Sequence, residues 1–189
     1  FRRWRVIVDS DPDLALVARY RDGDQAAFAE LVVRYQRPIY NAAYWVVRRP
    51  EDASDVTQNV FLKVAEHLDD FDPQYRFFSW IYRIAVNEAL NMLRRNGRDE
   101  PLDDEIELPD ERTGSPEQQF GESQVKRQVW QALMGMSTND RTVLVLRHFS
   151  ECSYKEIGQI LDLDDKTVKS RLFEARHRLR DVLKDLSDR

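Results

Sequence analysis

The chain of 189 residues has one cysteine, Cys152, so it can form no internal disulfide, which fits a reducing compartment. Its three histidines, His67, His148 and His177, lie far apart without the spacing of a metal site. No apolar run nears the roughly 18 residues a membrane span requires. Phe1–Val8 is basic and aromatic with no apolar stretch behind it, so it does not read as a signal peptide. No Gly-rich phosphate loop or nucleophile–base pair appears, which argues against an enzyme with catalytic residues, a metal or a cofactor.

At 42% hydrophobic the sequence has room for one large or two small cores. The net charge of −5 conceals a division. Residues 99–123 carry −9, and the rest of the chain carries +4. From Lys166 to Arg180 six bases meet one acid, Glu174. Two near-neutral to basic segments therefore flank an acidic one, and any polyanion contact belongs to particular faces of those segments.

Helical periodicity dominates. A short helix over 13–21 should stop at Asp22-Gly23-Asp24. Gln25–Val47 has a clear 3.6-residue period, with Pro38 expected to kink or break it. Pro50-Glu51-Asp52 starts a helix running to Leu68. That helix should bury Val56, Val60, Phe61, Val64 and Leu68. Its other face carries Asp52, Asp55, Gln58, Asn59, Leu62, Lys63 and Glu66. Leu62 amid those polar groups is either a stray exposed leucine or the apolar spot of a protein-partner surface.

The stretch Arg76–Asn96 sorts its residues most sharply. Phe78, Ile81, Tyr82, Ala85, Ala89, Met92 and Leu93 make one face. Trp80, Arg83, Asn87, Asn91, Arg94 and Arg95 make the other, with Ile84 among them. That second face is either plainly solvated or a nucleic-acid stripe: indole stacks on bases, carboxamides read base edges, and guanidinium holds phosphate. Beyond Gly97, prolines, glycines and dense acids predict a flexible linker over 98–123. Helical period resumes at Gln124–Met136, followed by a turn cluster at Ser137–Asp140 in which Asp140 is placed for a capping box. A short apolar helix over 141–149 comes next. Then Ser153–Leu161, the turn Asp162-Leu163-Asp164 and a basic helix from Asp165 to about Lys184 make a helix-turn-helix pattern. Val168, Leu172, Ala175, Leu179 and Val182 should face inward, with Lys166, Lys169, Ser170, Phe173 and His177 outward. A solvated basic helix in an ordinary bundle is the plainer alternative. The fold class is all-α: two small helical domains, 13–97 and 124–187, joined by the acidic linker and preceded by an extension over 1–12.

Four stretches together resemble the bacterial RNA polymerase sigma factors, in the small two-domain extracytoplasmic-function group. They are G-D-Q-A-A-F-A-E-L-V-V-R-Y at Gly23–Tyr35, D-A-S-D-V-T-Q-N-V-F-L-K at Asp52–Lys63, F-S-W-I-Y-R-I-A-V-N at Phe78–Asn87, and S-Y-K-E-I-G-Q-I-L with T-V-K-S-R-L-F-E-A-R between Ser153 and Arg176. The resemblance implies roles. Asp52, Asp55, Gln58, Asn59 and Leu62 would bind the β′ clamp helices of core polymerase, with the β flap as a further contact. Phe71, Phe77, Trp80, Arg83, Asn87, Asn91, Arg94 and Arg95 would face the −10 element as single strand. Lys166, Thr167, Lys169, Ser170, Arg171, Phe173 and Arg176 would read the −35 element as duplex. An anti-sigma factor is an implied partner, and a cytoplasmic location without membrane insertion is the implied site of action. A stand-alone helix-turn-helix repressor is the alternative reading. Glu174 stands where the family usually has a base, and Asp164 and Lys166 where its turn commonly has Pro and Gly.

Overall fold

The computed structural model describes residues 11–97 and 124–187, so the expected N-terminal extension, except its last two residues, and the acidic linker lie outside the described residues. The described residues form eight α-helices and one 3-10 turn, with no strand among them. In the first half these are α1 (Pro12–Arg21), α2 (Gln25–Val47), α3 (Pro50–His67), the 3-10 turn Leu68–Asp70, and α4 (Phe77–Arg95). In the second they are α5 (Gln124–Gly135), α6 (Thr138–His148), α7 (Tyr154–Leu161) and α8 (Asp165–Ser187).

Local chemistry sets the boundaries. Asp11 caps α1 by accepting from the backbone N–H of Asp13, and Asp24 caps α2 by accepting from that of Ala26. Gly23 between them holds a left-handed φ of 97°, which glycine adopts without penalty. Pro50 opens α3, with Glu51 and Asp52 in its first turn against the positive end of the helix dipole. Pro38 does not break α2, which continues through it for 23 residues. The missing backbone bond is outweighed by burial: Leu31, Tyr35, Ile39 and Ala42 form an unbroken stripe across the proline.

The first core is where α2 packs on α1, α3 and α4. It buries Val56, Val60, Val64 and Leu68 as expected, while Phe61 is only half-buried. Two polar ties cross it. Asp13 is buried and accepts from both Tyr35 Oη and Arg34, fixing α1 on α2. Lys63 donates to the buried Glu88 at 2.6 Å, fixing α3 on α4.

In the second half α8 packs on α5, α6 and α7. Ser153 and Glu156 form a reciprocal capping box at the start of α7. The capping box expected at Asp140 is absent. Ser137 does cap α6 by accepting from the backbone N–H of Asp140 at 3.2 Å, but the Asp140 carboxylate turns to Arg178 at 2.6 Å. A full guanidinium charge outcompetes a backbone N–H for that carboxylate. Val168, Leu172 and Ala175 are buried as expected; Leu179 and Val182 are half-buried.

The two halves also pack on one another, α4 against α7 and α2 against α6. Sequence periodicity gave no sign of this seam, because it reports which face of a helix is buried and not against what.

Candidate polymerase and promoter surfaces

On α3 the alternation of buried and exposed residues leaves Asp55, Gln58 and Leu62 exposed, with Asp52 and Asn59 half-exposed beside them. Leu62 is 62% exposed, among the largest solvent-facing apolar groups described. The face continues into a groove lined by Asp52, Asp55, Gln58, Asn59 and the α4 residues Met92 and Arg95. Arg95, expected on the strand-facing stripe, is exposed and also lines this groove with the acids of α3. At its position near the end of α4 the helix has turned away from the line of Arg83 and Asn87.

That line is otherwise as expected. Arg83, Asn87, Asn91 and Arg94 are exposed, three to four residues apart on one side of α4, and Arg94 donates to Asn91 Oδ1 at 3.0 Å. Trp80 ends the line, half-buried. It leans on Phe71 and Phe77 at centroid distances of 5.3 and 5.7 Å. Phe71 and Phe77 are 2% and 0% exposed, so neither presents a free ring. Phe77 packs edge-on against Tyr35 and belongs to the core. These rings are the wall that holds the indole out. The cleft in front of that wall is lined by Ser79, Tyr75 and Arg83 from one half and by Lys155, Gly158 and Asp162 from the other. Ser79 Oγ is buried there without a hydrogen-bond partner, and Tyr75 is 53% exposed. Tyr75 lies in the Phe71–Phe77 loop that the resemblance assigns to base capture, whereas Ser79 escaped the sequence reading, because a single Ser in a first turn has no periodic signal.

On α8, Lys166, Lys169, Ser170 and Phe173 are exposed on the outer face and Arg171 is exposed beside it, while Thr167 and Arg176 are half-buried. Phe173, 64% exposed, lies against His177 at 4.5 Å. Two of the departures from the family pattern, Asp164 and Glu174, find local explanations. Asp164 is the N-cap of α8: its carboxylate accepts from Thr167 N and Thr167 Oγ1, each at 2.8 Å. Those bonds hold its pKa below the usual carboxylate value. Glu174 accepts from Arg178 at 3.2 Å and from Ser170 at 3.4 Å, so its charge is partly offset and directed along the helix. Gly158 of α7 has no room for a side chain; a Cβ there would come within 2.7 Å of the Leu163 carbonyl oxygen. The close approach fixes the turn that aims α8. His148 of α6 has its pKa lowered, by burial first and then by Arg176 and Arg147.

At the seam, Arg141 of α6 is 1% exposed. Its guanidinium donates to the carbonyls of Trp45 and Val46 at the end of α2, and to Met134 and Met136 at the end of α5. A cation set against two helix C-termini is the arrangement the helix dipole favours. Burial, with Arg48 nearby, lowers its pKa to about 9. Arg48 reaches back, donating to Met134 O at 2.8 Å. Trp130 of α5 stacks on Tyr44 and tilts against Trp45 at 5.9 and 4.6 Å. Arg76 at the start of α4 pairs with Glu156 at 2.6 Å, and Arg83 lies 3.7 Å from Asp162. Cys152 is buried beside this seam, and desolvation pushes its thiol up to about 12.

Two separate surfaces thus flank one helical core, an acidic face with an apolar spot and a carboxamide–guanidinium stripe, with a basic helix-turn-helix alongside. Comparison with known proteins agrees with that combination. Residues 31–99 match the family Sigma-70 region 2, and residues 126–179 match Sigma-70, region 4. The chain is 31% identical to the ECF RNA polymerase sigma factor SigW of Bacillus subtilis, over 90% of this chain and 96% of the relative. It is 36% identical to the ECF RNA polymerase sigma-E factor of Escherichia coli, over 87% and 90%. Among solved structures it resembles CnrH in complex with the cytosolic domain of CnrY, at a TM-score of 0.68 and 28% identity over 92% of this chain and 97% of that one. It shares the fold of the sigma factor RpoE in complex with the anti-sigma factor NepR from Bartonella quintana, with a TM-score of 0.67 at 22% identity, over 83% of this chain and 96% of that one. The chain belongs to the ECF RNA polymerase sigma factors, the proteins that recognise promoters for transcription initiation.

Proposed function

We propose that residues 13–97 both dock on core polymerase and read the −10 element, while residues 124–187 read the −35 element as duplex. The α3 face of Asp52, Asp55, Gln58, Asn59 and Leu62 fits a basic partner helix with an apolar contact, the chemistry the resemblance assigns to the β′ clamp helices. The observation that carries the −10 reading is the row Arg83, Asn87, Asn91 and Arg94, exposed on one side of α4 and ending at Trp80 beside an open cleft. Carboxamides pair with base edges, the guanidinium groups hold phosphates, and the indole offers a stacking surface. A base drawn from the duplex into the cleft costs a few kcal/mol of unstacking, offset by stacking and by hydrogen bonds to groups such as Ser79 Oγ. Phe71 and Phe77 support this by fixing Trp80. Arg95, exposed beyond Arg94, holds phosphate at the far end of the same helix.

On α8 the exposed Lys166, Lys169, Ser170, Arg171 and Phe173, with Thr167 and Arg176 at the edge, enter the major groove. Ser170 and Thr167 leave their partners Glu174 and Asp164 to do so. The protein acts in the cytoplasm at the nucleoid, opens the −10 region by trapping a strand, and serves a stress or envelope regulon. An anti-sigma factor controls it; the sigma factor RpoE of Bartonella quintana is found in complex with one. No helix among the described residues is long and apolar enough to cross a membrane.

Run-off transcription with purified core polymerase tests the proposal. The chain should direct start sites from a promoter library. Asn87→Ala and Asn91→Ala should each lower initiation about 5–150-fold at the base they face, from the 1–3 kcal/mol that such contacts discriminate. Unchanged transcription from both variants would overturn the assignment of that stripe.

A further inference from the structure

From Lys166 to Arg180 helix α8 carries six bases and a single acid, Glu174. A carboxylate on a helix that enters DNA needs a reason, because phosphate repels it. The position of Glu174 on the helix narrows the choice. At about 100° per residue, Ser170 points almost directly away from the buried line of Val168, Leu172 and Ala175, and Glu174 and Phe173 lie about 50° to either side of it. All three are exposed. Glu174 therefore stands on the outer side of α8, one turn beyond Ser170.

The two oxygens of Glu174 are held differently. Oε2 accepts from Arg178 Nη2 at 3.2 Å, and Nη1 of the same guanidinium donates to Asp140 at 2.6 Å. Asp140 belongs to the first turn of α6 and its side chain is 15% exposed, so Arg178 is anchored to a second helix. Through Arg178 that anchor restrains the Glu174 carboxylate and offsets part of its charge. Oε1, among the described residues, accepts from the Ser170 hydroxyl at 3.4 Å, the longer of the two bonds. When Ser170 turns to DNA, Oε1 is released while Oε2 stays on Arg178. The outer face then presents a restrained anionic acceptor.

Such an acceptor discriminates between bases in the major groove. Cytosine presents the N4 amino donor there. Guanine presents the acceptors N7 and O6, thymine presents O4 and a methyl group, and adenine sets the acceptor N7 beside its N6 donor. A carboxylate pairs with the first and is repelled by the acceptors of the others.

We infer that Glu174 is a specificity-determining residue of this chain, accepting through Oε1 from N4 of a cytosine in the −35 element, with Arg178 and Asp140 as positioning residues. This rests on the proposed −35 role of α8. A Lys or Arg in the same place would favour guanine or hold a phosphate, so the acid changes which promoters are read.

The test is a promoter library randomised over the −35 element, each member linked to a transcribed barcode, and transcribed by core polymerase with the full-length chain. Wild type should favour C over G about 5–150-fold at one position, the range that base contacts of this kind discriminate. Glu174→Ala should erase that preference and keep those at the other positions. Glu174→Gln should shift it to adenine, whose N6 and N7 suit a carboxamide. Arg178→Met should blunt the preference at the same position, whereas a merely structural loss would weaken every position alike. Competition for core polymerase checks that each variant is folded. If both Glu174 variants keep the wild-type preference at every position, the inference is overturned: Glu174 is then a solvated partner of Arg178, and the −35 reading of α8 stands. A change of equal size at every sequence is a phosphate effect and overturns it as well. An Arg178→Met profile identical to wild type overturns the positioning role alone. If wild type shows no preference at any −35 position, the reading of α8 has failed, and the inference with it.

Discussion

Leu62 offers the most direct test of the polymerase face. It projects from the middle of α3, 62% exposed, between residues whose charges and amides have no use for an apolar neighbour. Burying a leucine completely is worth about 1.5–3 kcal/mol, so a side chain still three-fifths exposed has roughly 1–2 kcal/mol left to gain from a partner. Leu62→Ala should therefore weaken binding to core polymerase by about 5–30-fold. It should leave the folded stability within about 0.5 kcal/mol, because the residue contributes little to the core. Val60, two positions earlier on the same helix, is fully buried and provides the control. Val60→Ala removes two methyl groups and should cost about 2 kcal/mol of stability, with polymerase affinity preserved in the folded fraction. Affinity is measured by competition against a labelled sigma factor for core polymerase, and stability by urea unfolding. If Leu62→Ala competes as well as wild type, the leucine is a stray surface residue and α3 is not read through its apolar spot.

Four further outcomes follow from the geometry. Phe77→Ala should cost about 3–5 kcal/mol in urea unfolding, because its ring is fully buried between Tyr35, Phe71 and Trp80; a loss confined to promoter opening would instead place it on the DNA. Gly158→Ala should destabilise the chain by about 1–3 kcal/mol in thermal unfolding, since its Cβ would press on the Leu163 carbonyl. Arg141→Met should cost roughly 3 kcal/mol by leaving buried carbonyls of two helix ends without a donor, measured by urea unfolding. For Glu156, burial raises its pKa but the Ser153 N–H and hydroxyl together with Arg76 outweigh it, and the net shift is downward. The stability it lends is full above the ordinary glutamate range and is lost as pH falls through the lowered folded value; Glu156→Gln should flatten that acid limb in unfolding followed from pH 6 to pH 3.

The sequence was most legible where a pattern repeats. The eight helices follow apolar positions every three to four residues, and their starts follow Asp11, Asp24, Pro50 and Ser153, each a residue that satisfies or lacks a backbone N–H. The stripe Arg83, Asn87, Asn91 and Arg94 was legible for the same reason. Less could be read where two groups compete for one partner. Asp140 had the spacing for a capping box, and only the fold brings Arg178 close enough to take its carboxylate. Arg95 had the spacing for the stripe, and only the packing of α3 on α4 shows which groove it enters. Phe71 and Phe77 carried aromatic chemistry suited to bases, but burial decides whether a ring stacks on DNA or on Tyr35, and a loop's burial has no period.

Arg141 shows why the seam could not be read at all. In sequence it is a base shortly ahead of the apolar run Val143–Leu146, which by itself suggests a solvated helix start. In the fold it is among the largest fully buried side chains. A buried guanidinium is tolerable only where carbonyls converge, and convergence of two helix ends from different parts of the chain is a tertiary event. The same reasoning applies to the left-handed Arg48 and Asp162. Local preference would put glycine there, and the departure makes sense once each side chain is seen reaching across to the other half. Where a sequence breaks a local rule at several places that the fold brings to one seam, the seam is a better explanation than any of the helices taken alone.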